Sequence, residues 1–357
     1  MPFDPSALGL SLPVIQAPMA GVTTPELAAA VSNAGALGSL GLGGGDVEAA
    51  RRQLRATRAL TDGPVNANFF CHQPPRRDVA RDTAWIARLA PLLARFGAAA
   101  PEQMASPYIP FQDQPGMVEM LLEERPAVVS FHFGLPPADQ VAALKSAGIT
   151  LIASATSVPE ARIMAEGGMD GIVAQGWEAG GHRGILDPDG PDPRKPCLTL
   201  VAEIAQALPL PVIAAGGLMD AADIRAALDA GATAAQLGTA FLLCPESASD
   251  AAYRAALAQA RPGSTRMQRA ISGRPARSLE TAFTRFTAGV DPADVPSYPL
   301  AYDIFKQLTA AAKSHDATGY AAQWAGSNAH RATARPAAQL IAEWSAALEQ
   351  VEAGQGA

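Results

Sequence analysis

The sequence predicts an α/β protein, a TIM (β/α)8 barrel with an additional, mostly helical C-terminal segment. Eight short apolar runs, each followed by a stretch with helical periodicity, fall within residues 12–240. Hydrophobic residues make up 48% of the 357-residue chain and charged residues only 17%, which indicates a large buried core. A doubly wound parallel sheet is the alternative, but eight alternations favour the closed barrel.

Capping residues and glycines mark the boundaries of the predicted elements. Thr24 and Pro25 suit the start of the first helix, Asp46 can cap the second, and Gly231 closes a later one. The barrel strands are predicted at 12–17, 37–40, 65–70, 127–133, 150–155, 171–175, 212–215 and 234–237. Helices are predicted at 25–33, 47–60, 82–96, 117–124, 138–147, 159–166, 198–208, 221–230, 251–260, 304–313 and 337–351.

Two stretches do not follow the alternation. Residues 71–113 are too long for an ordinary connection and are rich in proline and arginine. We expect them to form an insertion at the rim of the barrel, which spans residues 1–245. Residues 246–357 contain helices but no further strand–helix repeats. We expect this segment to pack beside or over the barrel mouth and to contribute to the substrate pocket.

Charge and composition exclude several classes of partner. The net charge is −7 and no long basic run is present, which argues against nucleic acid. No apolar run is long enough to span a bilayer, and no signal peptide is recognisable at the start of the sequence. The three widely spaced cysteines indicate free thiols rather than a disulfide or a metal site. We therefore expect a cytoplasmic monomer or homodimer that binds a small molecule and no metal.

The carboxyl ends of the predicted strands carry an unusual set of polar residues and glycines. Active sites of (β/α)8 barrels lie at this end of the strands. The seventh and eighth strands end in bare glycines and a hydroxyl, a pattern suited to a phosphate group. Three amides can contact a flat heterocycle, and FMN fits both demands. These strand ends supply Met19, Gly21, Asn68, His132, Gln175, Gly180, His182, Gly216, Gly217, Gln236, Gly238 and Thr239.

Other nucleotide and hydrolase motifs are missing from the sequence. No Gly-x-Gly-x-x-Gly follows a predicted strand, and no Gly-x-x-x-x-Gly-Lys is present. A Rossmann nicotinamide site and nucleoside triphosphate hydrolysis are therefore disfavoured. The Gly-x-Ser-x-Gly elbow of α/β-hydrolases is also missing.

Several stretches resemble the nitronate monooxygenases, also known as 2-nitropropane dioxygenases, and most closely their bacterial class I. The resemblance covers nearly the whole chain, and its glycine–histidine motif is its most specific part. Trp177 departs from the pattern, since a smaller aliphatic residue is expected there. The matching stretches are 16–21, 28–38, 130–134, 174–184, 214–217, 236–239, 272–277 and 323–326, together with Tyr298, Pro299, Tyr302 and Lys306.

This resemblance implies an FMN-dependent enzyme that oxidises alkyl nitronates with O2. The products would be a carbonyl compound and nitrite, formed through a flavosemiquinone. His182 would be the catalytic histidine. The resemblance implies FMN contacts with Met19, Gly21, Asn68, Gln175, Gly180, Gly217, Gln236, Leu237, Gly238 and Thr239.

Further side chains are candidates for binding the substrate. His132 can assist His182 or can be an imidazole held by neighbouring groups. If the substrate carries a carboxylate, as propionate 3-nitronate does, Lys306 with Tyr298 and Tyr302 could bind it. These three residues are spaced four apart and would share a face of one helix, although an exposed surface stripe has the same spacing.

Two other aspects of the sequence bear on the site. Glu178 and Arg183 flank His182 in the glycine-rich loop 176–184, here called the histidine loop, and are expected to form an ion pair that fixes it. An FMN-dependent, NAD(P)H-linked enoyl-thioester reductase on the same barrel is the main alternative function. A protein that binds flavin without turnover is less favoured, because binding alone does not require His182.

Overall fold

The barrel consists of eight parallel strands, seen in a computed structural model that describes residues 2–355. The barrel strands are β1 (Val14–Gln16), β2 (Gly38–Gly41), β3 (Val65–Phe70), β4 (Val128–His132), β5 (Thr150–Ala155), β6 (Gly171–Gln175), β8 (Val212–Ala215) and β9 (Ala234–Leu237). Their order in the sheet is β1-β9-β8-β6-β5-β4-β3-β2. A parallel bridge between Ile15 and Leu37 joins the two ends of this order, so the predicted TIM barrel is confirmed.

A second, antiparallel sheet lies beside the mouth of the barrel. It consists of β7 (Gly181–His182), β10 (Thr265–Gln268) and β11 (Ala276–Leu279), with β11 in the middle. His182 pairs with Ala276 in this sheet. The histidine loop is therefore held by backbone hydrogen bonds to the C-terminal part of the chain.

The predicted helix starts are confirmed at two positions. Thr24 accepts a hydrogen bond from the Leu27 N–H at 3.0 Å, and Asp46 accepts one from the Ala49 N–H at 2.7 Å. The helices are α1 (Pro25–Asn33), α2 (Val47–Arg58), α3 (Val79–Arg95), α4 (Met117–Glu124), α5 (Ala138–Ser146), α6 (Val158–Glu166), α7 (Cys197–Ala207), α8 (Ala221–Asp229), α9 (Ala251–Ala258), α10 (Ala282–Phe286), α11 (Leu300–Lys313) and α12 (Ala337–Gln355).

Residues that face the inside of the barrel change from apolar to polar along several of the strands. Because side chains alternate along a strand, every second residue points inward. At the amino ends these residues form a closed apolar layer that includes Val128, Ile152 and Val173. Two residues further along, Ser130, Ser154 and Gln175 line a cavity instead. This gradient closes the bottom of the barrel and opens its top.

The two buried asparagines of β3 also point into the barrel, and Asn66 is a polar exception at the level of Val128. Asn66 donates to the Ser39 hydroxyl at 3.1 Å inside the barrel. Asn68, one layer higher, donates to the Ser130 hydroxyl at 2.9 Å. Hydrogen bonds across neighbouring strands therefore offset part of the cost of burying these amides, since the Asn66 Oδ1 atom has no partner.

The hydrophobic clusters outside the barrel join distant parts of the chain. Trp344 of α12 packs in the cluster between the strands and their helices, 5.5 Å from the Phe241 ring. A separate cluster joins α3 with α11 through residues such as Trp85, Leu89 and Phe305. The expected division of the chain after residue 245 stays a prediction.

Two findings concern other expectations from the sequence. The three cysteines are free and buried. Within the part of the chain that the structure describes, no helix combines the length and apolar character that a membrane crossing requires.

Candidate active site

A cavity of about 550 Å³ opens at the carboxyl ends of the barrel strands, within the usual size range of ligand sites. Leu237 does not line it, since its side chain is buried in the core. The cavity wall brings together the other predicted site residues: Met19, Gly21, Asn68, His132, Gln175, Gly180, His182, Gly217, Gln236, Gly238, Thr239, Tyr298, Tyr302 and Lys306.

His182 lies in the cavity wall with one ring nitrogen engaged. Its Nε2 atom is 2.9 Å from the Ser272 hydroxyl. The ring centroid lies 5.0 Å from that of Trp324 and 5.5 Å from that of Tyr298. Burial lowers the pKa of His182 to about 3, with smaller contributions from His132 and Arg274. The imidazole is therefore neutral at physiological pH.

His132 is held at both ring nitrogens. Its Nε2 atom is 3.2 Å from the His182 carbonyl oxygen, and its Nδ1 atom is 2.9 Å from the Ser154 hydroxyl. Burial lowers the pKa of His132 to about 4, so this ring is also neutral. Since a carbonyl can only accept, Nε2 carries the hydrogen and Nδ1 accepts from Ser154. This geometry favours the alternative of an imidazole held by its neighbours.

Gln175 connects the end of β6 to the histidine loop. Its side-chain amide donates to the His182 carbonyl oxygen at 2.9 Å and accepts from the Gly184 N–H at 2.7 Å. The Arg183 guanidinium donates to the Gln175 carbonyl oxygen at 2.6 Å. These contacts fix the loop backbone on both sides of His182.

The expected ion pair between Glu178 and Arg183 is wrong. Arg183 pairs instead with Asp192, with its Nε atom 2.8 Å from the carboxylate. Glu178 accepts a hydrogen bond from the Cys197 N–H at 3.0 Å. The two side chains do not meet because Arg183 is buried beneath the histidine loop, where Asp192 is its partner.

Trp177 lies outside the cavity wall. Its indole is surrounded by the guanidinium groups of Arg183, Arg194 and Arg277, at 5.1 to 5.7 Å from the ring centroid. The size of this residue therefore does not reduce the volume of the cavity. The indole instead packs against the arginines on the outer side of the loop.

The C-terminal segment contributes an aromatic wall. Tyr302 and Lys306 lie one turn apart on α11, whereas Tyr298 precedes that helix, so the three do not share one helix. All three nevertheless line the cavity. The Tyr298 hydroxyl is buried without a hydrogen-bond partner, and the Lys306 ammonium lies 4.9 Å from the centre of the Tyr108 ring. An unpaired hydroxyl and a cation are thus available to a ligand.

Glycines leave backbone exposed where β6, β8 and β9 end. Gly217 has a φ of +74°, and a Cβ atom there would lie 2.9 Å from the Glu178 Cβ atom. A Cβ atom on Gly180 would lie 2.5 Å from the Gly326 nitrogen. Thr239 Oγ1 accepts from the Gly326 N–H at 3.0 Å, so its hydroxyl hydrogen remains able to donate. Only glycine fits at positions 180 and 217, and the exposed backbone there suits an anionic group.

Sequence reasoning missed several residues of the cavity. Ser130 and Ser154 could have been found, since each lies two residues beyond an inward-facing apolar residue of its strand. Ser272 and Trp324 lie in stretches that carry the resemblance, but nothing there indicated a contact with His182. Tyr108 comes from the insertion and has no local signal.

Comparison with known sequences identifies relatives along nearly the whole chain. The family described as "Nitronate monooxygenase" matches residues 6–346. A nitronate monooxygenase of Paraburkholderia phytofirmans is 51% identical over 343 residues, which cover 96% of this chain and 94% of that protein. One from Pseudomonas aeruginosa is 50% identical over 336 residues, covering 94% and 95%.

Solved structures show the same likeness in three dimensions. A nitroalkane oxidase from Streptomyces ansochromogenes superimposes with a TM-score of 0.89 at 34% identity, covering 99% of this chain and 100% of that chain. FabK from Thermotoga maritima superimposes with a TM-score of 0.74 at 26% identity, covering 98% and 97%. The barrel and the C-terminal segment are thus both shared with known structures.

Proposed function

Because this chain belongs to the nitronate monooxygenase family, we propose that it uses FMN and O2 to oxidise alkyl nitronates to a carbonyl compound and nitrite. The observation that carries this proposal is the neutral imidazole of His182 in the wall of a cavity that is also lined by Gly180, Gly217 and Gly238. One cavity would thus provide a hydrogen-bond donor for the substrate and a binding site for the phosphate.

FMN fits the residues that line the cavity. The backbone at Gly180, Gly217 and Gly238 with the Thr239 hydroxyl would hold the phosphate, because these groups line the cavity where the strands end. The amides of Asn68 and Gln236 would contact the ring system, near Met19, Gly21 and Gln175. A role for Leu237 would have to use its backbone. When bound, FMN supplies the redox chemistry.

His182 would bind the nitro group of the substrate. A nitronate is already deprotonated, so the site needs a hydrogen-bond donor rather than a strong base. With Nε2 on the Ser272 hydroxyl, Nδ1 is the nitrogen left for the substrate. For Nδ1 to donate, Nε2 must accept the Ser272 hydrogen. This tautomer requires the Ser272 hydroxyl hydrogen to point to Nε2 at 2.9 Å rather than to the Arg274 carbonyl oxygen at 3.3 Å. His132 and Gln175 hold the His182 carbonyl.

The aromatic wall would select substrates with a carboxylate. Lys306 is a cation at the cavity mouth, and no ion pair joins it to a carboxylate among residues 2–355. The Tyr298 hydroxyl is buried and unpaired beside it, and Tyr302 lines the same wall. These groups match a small anionic nitronate such as propionate 3-nitronate.

The test is the visible spectrum of the FMN-loaded protein mixed without oxygen, once with propionate 3-nitronate and once with NADH. We expect the nitronate to change the flavin spectrum rapidly and NADH to leave it unchanged, with nitrite released once oxygen is admitted. Full bleaching by NADH alone would support the reductase alternative. A protein that cannot be reconstituted with FMN would overturn the cofactor assignment.

A further inference from the structure

Arg274 is a buried cation behind the cavity wall. Its side chain is 3% exposed. No ion pair joins it to a carboxylate within the described part of the chain, and its hydrogen bonds go to the carbonyl oxygens of Arg183 and Ile185. Burial lowers the pKa of Arg274 to about 10, so the group stays charged at neutral pH. Burying a charge without an opposite charge costs free energy of folding, and such costs are expected at functional sites.

The carboxylates that act on Arg274 over a distance are engaged elsewhere. Glu160 accepts from the backbone N–H groups of Thr156 and Leu186. Asp189 forms an ion pair with Arg269. The positive charge of Arg274 is therefore not neutralised by a direct partner.

An aromatic ring connects this charge to two rings of the cavity wall, those of His182 and Tyr298. The Arg274 guanidinium lies 4.2 Å from the centre of the Phe133 ring. That ring lies 5.7 Å from the His182 ring and 5.4 Å from the Tyr298 ring. Phe133 has a φ of +75°, which is rare for a bulky residue and stores strain. The strained backbone holds the Phe133 ring in contact with the cation and with the two wall residues His182 and Tyr298.

We propose that Arg274 is a positioning residue that acts through Phe133 and draws the negative charge of the substrate toward His182. The proposal rests on the proposed function, because it concerns how the same cavity binds a nitronate. The charge is fixed behind an apolar wall, where water screens it little. Lys306, in contrast, lies exposed at the cavity mouth. Arg274 would thus orient the nitronate end while Lys306 holds a distal carboxylate.

The alternative is a purely structural role, in which Arg274 only holds the backbone after His182 through its hydrogen bonds to Arg183 and Ile185. Two substitutions separate the roles. Arg274→Gln keeps a hydrogen-bond donor but removes the charge, and Arg274→Lys keeps the charge but changes the geometry. Arg254→Met is the matched control, since Arg254 also donates to backbone carbonyls, those of Leu243, Cys244, Ser247 and Ser249. Unlike Arg274, it does not lie over the Phe133 ring.

The experiment measures kcat and KM for ethyl nitronate, and the Kd of nitrate by calorimetry as a planar anionic probe. For Arg274→Gln we expect KM and Kd to rise on the order of tenfold, as for a charge acting over roughly 10 Å in a protein interior. Arg274→Lys should recover most of this loss, and Arg254→Met should keep the wild-type Kd. Arg274→Met replaces the glutamine variant if that variant does not fold.

Three results would overturn the proposal. Nitrate could fail to bind the wild-type protein, it could bind the charged and uncharged variants equally, or the lysine variant could lose as much affinity as the glutamine variant. Failure of the proposed function would look different, because the wild-type enzyme itself would then release no nitrite from ethyl nitronate.

Discussion

At the scale of single residues, the cavity depends on two imidazoles that burial keeps neutral. His132 has no free ring nitrogen, since it donates to the His182 carbonyl and accepts from Ser154. His182 uses only Nε2, on Ser272, and so keeps one nitrogen for a ligand. The same residue type therefore serves two purposes in one wall, and hydrogen bonding decides which.

Replacing His182 tests its proposed role directly. We expect His182→Ala to retain FMN but to lower kcat/KM for nitronates about 100-fold, since a hydrogen-bond donor to the nitro group is lost. Oxygen consumption and the flavin absorbance of the purified variant give the two quantities. His315→Ala, at an exposed position, is the control. Undiminished turnover by the His182 variant would remove the catalytic assignment.

The neutral imidazoles also predict a pH dependence of stability. The folded pKa values of His182 and His132, about 3 and 4, lie below the unfolded value near 6.5. The unfolded chain then binds more protons as the pH falls, so the free energy of unfolding decreases below about pH 6.5. In urea unfolding between pH 5 and 6.5, His132→Gln should reduce this slope by about 1 kcal/mol per pH unit. Identical slopes in both proteins would contradict the prediction.

Lys306 is expected to act on substrate choice rather than on the reaction. Lys306→Ala should raise KM for propionate 3-nitronate about tenfold and leave KM for ethyl nitronate nearly unchanged, because only the first carries a carboxylate. Steady-state kinetics with both substrates measure the difference. Lys313→Ala, at the other end of α11, is the control. Equal effects on the two substrates would exclude a carboxylate anchor.

At the scale of elements, the loop between β6 and α7 is built from its own buried contacts. Arg183 is 1% exposed and ties Asp192 to the end of β6. Pairing of β7 with β11 then fixes His182 against the C-terminal segment. The glycines of this loop provide close approach of backbone to ligand, and the arginine provides rigidity.

The ion pair below this loop should matter for stability. Asp192→Ala leaves the Arg183 charge buried and unpaired, so we expect the free energy of unfolding to fall by about 3 kcal/mol. Asp189→Ala, in the same loop, removes a more exposed partner of Arg269 and should cost below about 1 kcal/mol. Denaturant unfolding of both variants provides the comparison. Similar losses would show that burial does not determine how much the Arg183–Asp192 pair contributes to the free energy of unfolding.

At the scale of the whole molecule, distant parts of the chain complete the barrel and its mouth. Helix α12 packs on the barrel through Trp344, and the cluster of α3 with α11 brings the insertion to the cavity. Tyr108 and Lys306 meet there although almost 200 positions separate them. The substrate end of the cavity is therefore a product of tertiary packing.

The contact of α12 with the barrel should be a major source of stability. Trp344→Ala removes a buried indole beside Phe241, so we expect the free energy of unfolding to fall by about 4 kcal/mol. Phe286→Ala, at a site where the ring is 42% exposed, is the control and should change it by about 0.5 kcal/mol. Equal effects in denaturant unfolding would mean that α12 contributes little to the fold.

The barrel, its strand ends and most of the polar groups and glycines around the cavity could be predicted from the sequence alone. These features follow from local patterns, since apolar periodicity defines the elements and parallel strands bring their carboxyl ends together. Four features became known only from the three-dimensional structure. They are the partner of Arg183, the position of Trp177 outside the cavity, the neutral state of the two imidazoles and the presence of Tyr108 in the cavity wall. Each of these depends on burial and on contacts between distant segments, which no local pattern encodes.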